Sequence, residues 1–156
     1  PFSLAAGLNW KGIDFSILLQ GAARSSIYLQ QDIAWDNFWG NYYEEHIGRW
    51  TPETAATATY PRFTKAATPA HPNYYKSDYW LKDSKYLRLK NIQLGYTIPR
   101  KLLKKFGVRS LRVYANAYNL FTWDNVKKVD PESSNNSNGQ FYPQQKVINF
   151  GINLNF

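Results

Sequence analysis

The side chains able to do chemistry fall into three groups, and two of them can be set aside on spacing alone. Glu44, Glu45 and His46 stand side by side and at first resemble metal ligands. Adjacent residues diverge on any regular element, and no second histidine follows at i+4 as it does in a zinc-binding helix. His71 stands alone beside Pro72, so no metal site is expected. Asp124, Asp130 and Glu132 could offer oxygen ligands to calcium but lack the spaced acidic loop such a site requires. Asp130-Pro131-Glu132 is expected to fix a turn. The chain shows no glycine-rich phosphate loop, nucleophile elbow or argued pair of carboxylates, so neither an enzyme nor a cofactor is expected. The third group is aromatic: Trp35, Phe38, Trp39, Tyr42, Tyr43 and Trp50 lie within one stretch. Such rings can stack on sugars. The plainer reading, preferred here, is that they form the small core a long loop needs to be ordered.

The elements that would position these groups are strands. Val147 to Phe156 reads V-I-N-F-G-I-N-L-N-F, with Ile148, Phe150, Ile152, Leu154 and Phe156 on one parity and mostly asparagine and glycine on the other. A period of two fits a strand and no helix. About ten residues, tilted near 40°, cross the apolar band of an outer membrane, so an apolar-out, polar-in strand of this length suits a transmembrane β-barrel. Four more segments alternate. Phe2 to Trp10 and Ile13 to Gly21 flank a Lys11-Gly12 turn signal, with Leu18 breaking the pattern. Tyr86 to Ile98 changes phase near Asn91, which a bulge there, or a strand leaving the membrane there, would explain. Pro99 ends that strand, and Arg100 to Phe106 is expected to make a helical turn closed by Gly107. Ser110 to Trp123 alternates again, with Arg112, Tyr114, Asn116 and Tyr118 on its polar parity.

The fold class expected is therefore all-β: an antiparallel, up-and-down transmembrane β-barrel segment. Its strands fall at about 2–10, 13–22, 85–98, 110–123 and 146–156, and its loops at about 23–83 and 124–145. The 23–83 stretch loses alternation, with short helices expected around Gly40. Connections alternate short, long, short, long, as in barrels with short periplasmic turns and long outer loops. Five strands cannot close a barrel, and open edges are not tolerated in lipid, so the segment is expected to be the C-terminal part of a larger barrel.

Composition agrees with this. No run approaches the apolar length of a membrane helix, but barrel strands hide their hydrophobicity in alternation, consistent with a mean hydropathy of −0.54. Without cysteine there are no disulfides or thiolate metal sites. The net charge of +8 is spread along the chain apart from Arg100, Lys101, Lys104, Lys105 and Arg109. No nucleic-acid module surrounds that cluster, so nucleic acid is not expected as a partner; solvated charges or contacts to lipid phosphates are. An alternative of another class is a soluble carbohydrate-binding β-sandwich, suggested by 17% aromatic residues and short strands.

An ordered set of motifs adds a resemblance. S-K-Y-L-R-L-K-N-I-Q-L-G-Y-T-I-P (Ser84 to Pro99) is joined by R-W-T-P-E (Arg49 to Glu53), Y-P-R (Tyr60 to Arg62) and S-D-Y-W-L-K-D (Ser77 to Asp83). Then come L-R-V-Y (Leu111 to Tyr114), N-L-F-T-W (Asn119 to Trp123), D-P-E (Asp130 to Glu132), Tyr142-Pro143 and the terminal Phe156. In this order they resemble the C-terminal end of SusC/RagA-type TonB-dependent outer-membrane transporters of Bacteroidetes, across essentially the whole chain. Thr54 stands where that family often has Asn, read here as loop variation. The resemblance implies localisation in the outer membrane and active import of oligosaccharides or peptides. Its implied partners are a SusD-like surface lipoprotein acting as a lid, outer-membrane lipid, and the TonB complex through parts outside this chain. On this reading Trp35, Trp39, Tyr42 and Trp50 would meet substrate or lid, and Arg112, Tyr114, Asn116 and Tyr118 would face substrate or plug in the interior. Phe150, Ile152, Leu154 and Phe156 are similar to the signal read by the barrel assembly machinery.

Overall fold

A computed structural model describes residues 1–38, 40–65, 71–126, 129–133 and 142–156. Five long strands, β1 (Phe2–Trp10), β2 (Ile13–Ala22), β5 (Tyr86–Thr97), β6 (Ser110–Asp124) and β7 (Val147–Asn155), form one antiparallel sheet in the order β1-β2-β5-β6-β7. Two short strands, β3 (Ser26–Tyr28) and β4 (Leu81–Asp83), pair with each other. The chain divides into two compact units: the long sheet (1–25, 84–125, 143–156) and a loop unit (26–83, 126–142).

Within the sheet, both short connections close the same end of the strands. Lys11 and Gly12 have φ of 47° and 89°, the left-handed pair of a two-residue hairpin whose twist matches the strands it joins. The Gly12 carbonyl accepts the Thr97 amide at 2.7 Å, and a Cβ on Gly12 would lie 2.7 Å from the Thr97 carbonyl oxygen. Glycine is therefore required there twice over, for its dihedral and for the close approach. The second connection follows Pro99 with a short helix, α1 (Arg100–Leu103), a 3-10 turn (Lys104–Phe106) and Gly107 at φ 70°.

The phase change in β5 is a bulge. Leu18 and Leu19 of β2 pair with Asn91 and Leu89, leaving Lys90 extra. That extra residue returns Leu87 and Leu89 to the face carrying Ile92, Leu94 and Tyr96. On the other side, Leu89 pairs with Phe121 and Asn91 with Tyr118, so β6 accommodates the same irregularity at Asn119, φ 51°. Asparagine tolerates that conformation far better than the Leu or Phe that follow it, which gives the N-L-F-T-W motif a backbone reason.

Register then makes one face apolar across all five strands. Leu4, Leu19, Leu89 and Phe121 fall in one row; Leu8, Phe15, Leu94, Ala115 and Phe150 fall in another. This face is uncovered: Leu8 is 61% exposed, Trp10 59% and Phe150 83%. A water-facing domain seldom leaves an apolar patch larger than a few hundred Å². Phe2 and Trp123 stand at one end of this face and Trp10 and Tyr96 at the other. From Phe2 to Trp10 is roughly 27 Å along the strand and, at a barrel tilt near 40°, about 20 Å in height. That span approaches the ~25 Å apolar band between the aromatic girdles of outer-membrane barrels. The sheet is thus an open piece of an antiparallel barrel wall. No second large sheet exists among the described residues, only the β3–β4 ribbon, so the sandwich alternative lacks its defining architecture.

The loop unit has the real hydrophobic core. Ile27, Leu29, Ala34, Trp35, Tyr60, Tyr74, Trp80 and Val126 are buried together, with Trp35 stacked on Tyr74 at 4.5 Å between ring centroids. The short helices expected around Gly40 are 3-10 turns, Gln31–Ile33 and Glu44–Gly48. Asp130 does fix a turn: its carboxylate accepts the Glu132 amide at 2.9 Å and its carbonyl accepts the Ser133 amide at 2.8 Å.

Candidate functional site

Two surfaces carry the residues singled out from the sequence, one in each unit. The first is the polar face of the sheet. Arg112 of β6 reaches across β5 to Asp14 of β2, with Nε donating to Oδ1 at 2.9 Å and Nη2 to Oδ2 at 2.5 Å. The strand between them carries Gly95, which pairs with both Asp14 and Tyr114. A Cβ at Gly95 would lie 2.5 Å from Asp14 Oδ1 and 2.6 Å from Arg112 Nη2, so the missing side chain is what lets this forked ion pair form. The Arg112 guanidinium also lies 4.8 Å from the centre of the Tyr114 ring. Tyr114 in turn covers Gly151 of β7, an aromatic-over-glycine pair that shields the bare strand.

Further along, the Asn149 side-chain Nδ2 donates to Asn116 Oδ1 at 2.9 Å and the Asn155 side-chain Nδ2 to Ser110 Oγ at 2.8 Å. Tyr118 is 40% exposed on the same face. Arg112, Tyr114, Asn116 and Tyr118 thus share one polar surface. Asp14 and Gly95, which build that surface, were not singled out by sequence reasoning. A charged residue on the polar parity of β2 and a glycine inside β5 were the available signals.

The second surface lies on the loop unit. His46 is buried, its Nδ1 accepting the Tyr43 amide at 3.0 Å and its Nε2 lying 3.3 Å from the Ala34 carbonyl. A carbonyl only accepts, so these partners place a proton on Nε2 and leave Nδ1 as the acceptor. Both ring nitrogens serve structure, and no metal-ligating group of three is present among the described residues. Tyr42 and Tyr43 flank the His46 ring edge-on, and Arg49 lies 5.0 Å from the Phe63 ring centre. Outward from this framework Tyr42 (57% exposed), Ile47 (76%) and Trp50 (39%) present apolar surface. Trp35 does not join them; it is buried in the loop core, and Trp39 lies outside the described residues.

Thr54 has more than a variable-loop role. Its hydroxyl accepts the Thr51 amide at 2.8 Å and donates to the Arg49 carbonyl at 2.9 Å, closing the R-W-T-P-E turn that presents Trp50.

Beneath this surface sits Asp36, fully buried. Its carboxylate accepts the Tyr74 hydroxyl and, at 2.8 Å, the Thr64 amide. Its own amide donates to Tyr60 Oη at 3.0 Å, and Tyr60 donates to the Ala34 carbonyl at 2.8 Å. Burial first, and then the Asp36 charge, push the Tyr60 hydroxyl well above the ordinary tyrosine range; burial and the bond to Asp36 do the same for Tyr74. An acid whose folded pKa is raised contributes stability that is complete below its unfolded value, about 10, and disappears as pH climbs toward the folded value. Protection of residues 26–65 from protease should therefore hold through pH 9 and fall above about pH 10. In a Tyr60→Phe variant that alkaline loss should be shallower. An identical alkaline profile in that variant would contradict the assignment.

No protein-family model matches the chain. TonB-dependent receptor P26 of Formosa agariphila is 29% identical over 99% of the chain, and receptor P3 of the same organism 26% identical over 96%. TonB-dependent receptor SusC of Bacteroides thetaiotaomicron is 34% identical over 53% of the chain. The fold matches the RagAB peptide importer in its open-open state with a TM-score of 0.74, over 99% of this chain at 22% identity. The chain is similar to TonB-dependent receptors over nearly its whole length. The chain spans 17%, 15% and 8% of the lengths of P26, P3 and SusC, and 17% of the RagAB chain. The barrel-wall fold expected from the alternation stands, and the relatives agree with the resemblance carried by the motifs. The motifs also acquire structural reasons: Y-P-R supplies buried Tyr60, and S-D-Y-W-L-K-D supplies buried Trp80 and strand β4.

Proposed function

We propose that this segment forms the C-terminal part of the barrel wall and two outer loops of an outer-membrane importer of oligosaccharides or peptides. The observation that carries this reading is the uncovered apolar face running across all five strands, which a lipid bilayer satisfies and water does not. The polar face, with the Asp14–Arg112 pair, Tyr114, Asn116 and Tyr118, lines the interior and meets substrate or plug. The long connections, 23–83 and 124–145, face outward; the Lys11-Gly12 turn and Pro99 to Val108 face the periplasm. Tyr42 and Trp50 offer exposed rings to a sugar, a peptide or a SusD-like lipoprotein, whereas Trp35 is buried in the loop core. Energy coupling through TonB belongs to parts of the receptor outside this chain.

The reading is tested on the native polypeptide in isolated outer membranes, run with and without boiling in detergent. A heat-modifiable band far heavier than 18.1 kDa supports it. A soluble band of 18.1 kDa that boiling leaves unchanged overturns it. The apolar parity of β7 and the residue after it, Phe150, Ile152, Leu154 and Phe156, are proposed as the assembly signal. Deleting Phe156 from the full-length receptor should cut the heat-modifiable fraction severalfold, and normal assembly without it would remove that part of the proposal.

A further inference from the structure

The turn between β5 and β6 carries a third surface, unlike either of the two described above. In eleven residues from Pro99 to Arg109 it has Arg100, Lys101, Lys104, Lys105 and Arg109, and no acid. All five are exposed, and none has a carboxylate partner among the described residues. Set among these cations are two large apolar side chains left in the open: Leu102 (65% exposed) and Phe106 (76%). They are four residues apart on a helical turn, so they share one side of it, while Leu103 turns inward and is buried. A turn serving only as a solvated connection has no use for an exposed Phe beside an exposed Leu.

The apolar face of the sheet continues this surface. At the same end of the strands, Ile13, Leu94, Tyr96, Val113, Ala115 and Phe150 line a groove of about 450 Å³, open along the face and floored by the small Ala115. Tyr96 and Val113 are paired partners only a few residues from Pro99 and Arg109, the two ends of the turn. Phosphate-binding cations, side chains suited to the acyl boundary, and an apolar groove thus follow one another in the order in which a lipid presents its parts. Lys11, whose ammonium lies 4.8 Å from the Trp10 ring centre, adds a cation at this same end.

We propose that the Pro99–Arg109 turn is a binding site for anionic phospholipid in the leaflet facing the periplasm. Its Lys and Arg side chains hold the headgroup phosphate, Leu102 and Phe106 enter the acyl boundary, and the Ile13–Phe150 groove takes an acyl chain. The occupant follows from charge and apolar surface presented together: basic residues beside a membrane attract anionic lipid strongly, and exposed Leu and Phe anchor in the interface. An acidic soluble protein would satisfy the cations but leave Leu102, Phe106 and the groove in water. The proposal rests on the barrel reading above, because the groove faces lipid only in an assembled barrel.

The probe is phosphatidylglycerol against phosphatidylcholine. Full-length receptor is reconstituted into phosphatidylcholine bilayers, and the motionally restricted fraction of a spin-labelled trace lipid of each kind is measured. The unaltered receptor should prefer the anionic lipid by at least about fivefold at low salt, less at high salt. A variant carrying Lys101→Gln, Lys104→Gln and Lys105→Gln should lose most of that preference. A Leu102→Ser/Phe106→Ser variant should lower the restricted fraction of both lipids. Heat-modifiable mobility of each variant reports barrel assembly separately. An assembled receptor with no preference for phosphatidylglycerol, or one unchanged by the lysine substitutions, overturns the lipid site and leaves the barrel reading intact. Failure of the unaltered receptor to insert would overturn both. Loss of a copurifying acidic protein without change in lipid preference would transfer the turn to a protein partner.

Discussion

Replacing Asp36 with alanine is expected to unfold the loop unit while the strands of the sheet remain assembled. The carboxylate is fully buried and accepts the Tyr74 hydroxyl and the Thr64 amide; its removal takes the acceptor from the part-buried Thr64 amide and leaves the Tyr74 hydroxyl only the Thr64 hydroxyl, at 3.1 Å, among side-chain partners. Each buried donor left without an acceptor costs about 1–3 kcal/mol, and the vacated space adds a cavity, for a total on the order of 4 kcal/mol. That is a large fraction of what holds a unit of this size together. Asp36→Asn keeps one carbonyl oxygen and should cost less, about half as much on the same reasoning. Tyr60→Phe, which removes one hydroxyl from the same network, should rank third. Hydrogen exchange on the assembled receptor reads the result directly. Amides within 26–65 should lose protection in the order Ala, Asn, Phe, whereas those of β5 and β6 should not change. Protection unchanged in Asp36→Ala would mean that the network is incidental to the loop core.

The second large effect runs against β-propensity. Glycine inside a strand ordinarily weakens it, so Gly95→Ala ought to help on intrinsic grounds. The structure requires the opposite, because the added carbon would lie 2.5–2.6 Å from the atoms of the Asp14–Arg112 pair. Relieving that clash means shifting one or both ends of the forked bond. Gly95→Ala is therefore expected to destabilise by about 1–3 kcal/mol, the range for an overpacked site, and Gly95→Val by more. Because the clash is with Arg112 and Asp14, Gly95→Ala should cost much less when combined with Asp14→Ala and Arg112→Ala. A coupling on the order of 1–2 kcal/mol is expected across that cycle. The urea midpoint of heat-modifiable mobility supplies the measurement. Additive effects, or a stabilised Gly95→Ala receptor, would show that the cross-strand pair does not depend on this glycine.

These two cases mark where sequence reasoning reaches and where it stops. Alternation is a local property, so the strands, their apolar parity and the turns at Lys11-Gly12 and Gly107 could be read directly. The phase change in β5 could be seen too, and the register places the extra residue at Lys90, beside the expected Asn91. Its counterpart at Asn119 left no trace in the alternation of β6. Pairings between distant residues were beyond reach. Arg112 and Asp14 are 98 residues apart, and only the register of three strands places them on either side of Gly95. Asp36 was passed over because an acid among aromatics looks like a loop residue until its burial is known. Trp35 was grouped with its exposed neighbours for the same reason: composition does not tell which ring of a loop core turns outward.

The central claim is that one parity of these strands faces lipid and the other a watery interior, and β7 offers the cleanest test. Spin labels on single cysteines at residues 148 to 154, placed one at a time in the reconstituted full-length receptor, report collision with oxygen and with a water-soluble nickel chelate. Labels at Ile148, Phe150, Ile152 and Leu154 should meet oxygen, and those at Asn149, Gly151 and Asn153 the chelate, alternating at every step. Uniform accessibility along β7, or alternation in the opposite phase, would contradict the barrel-wall account.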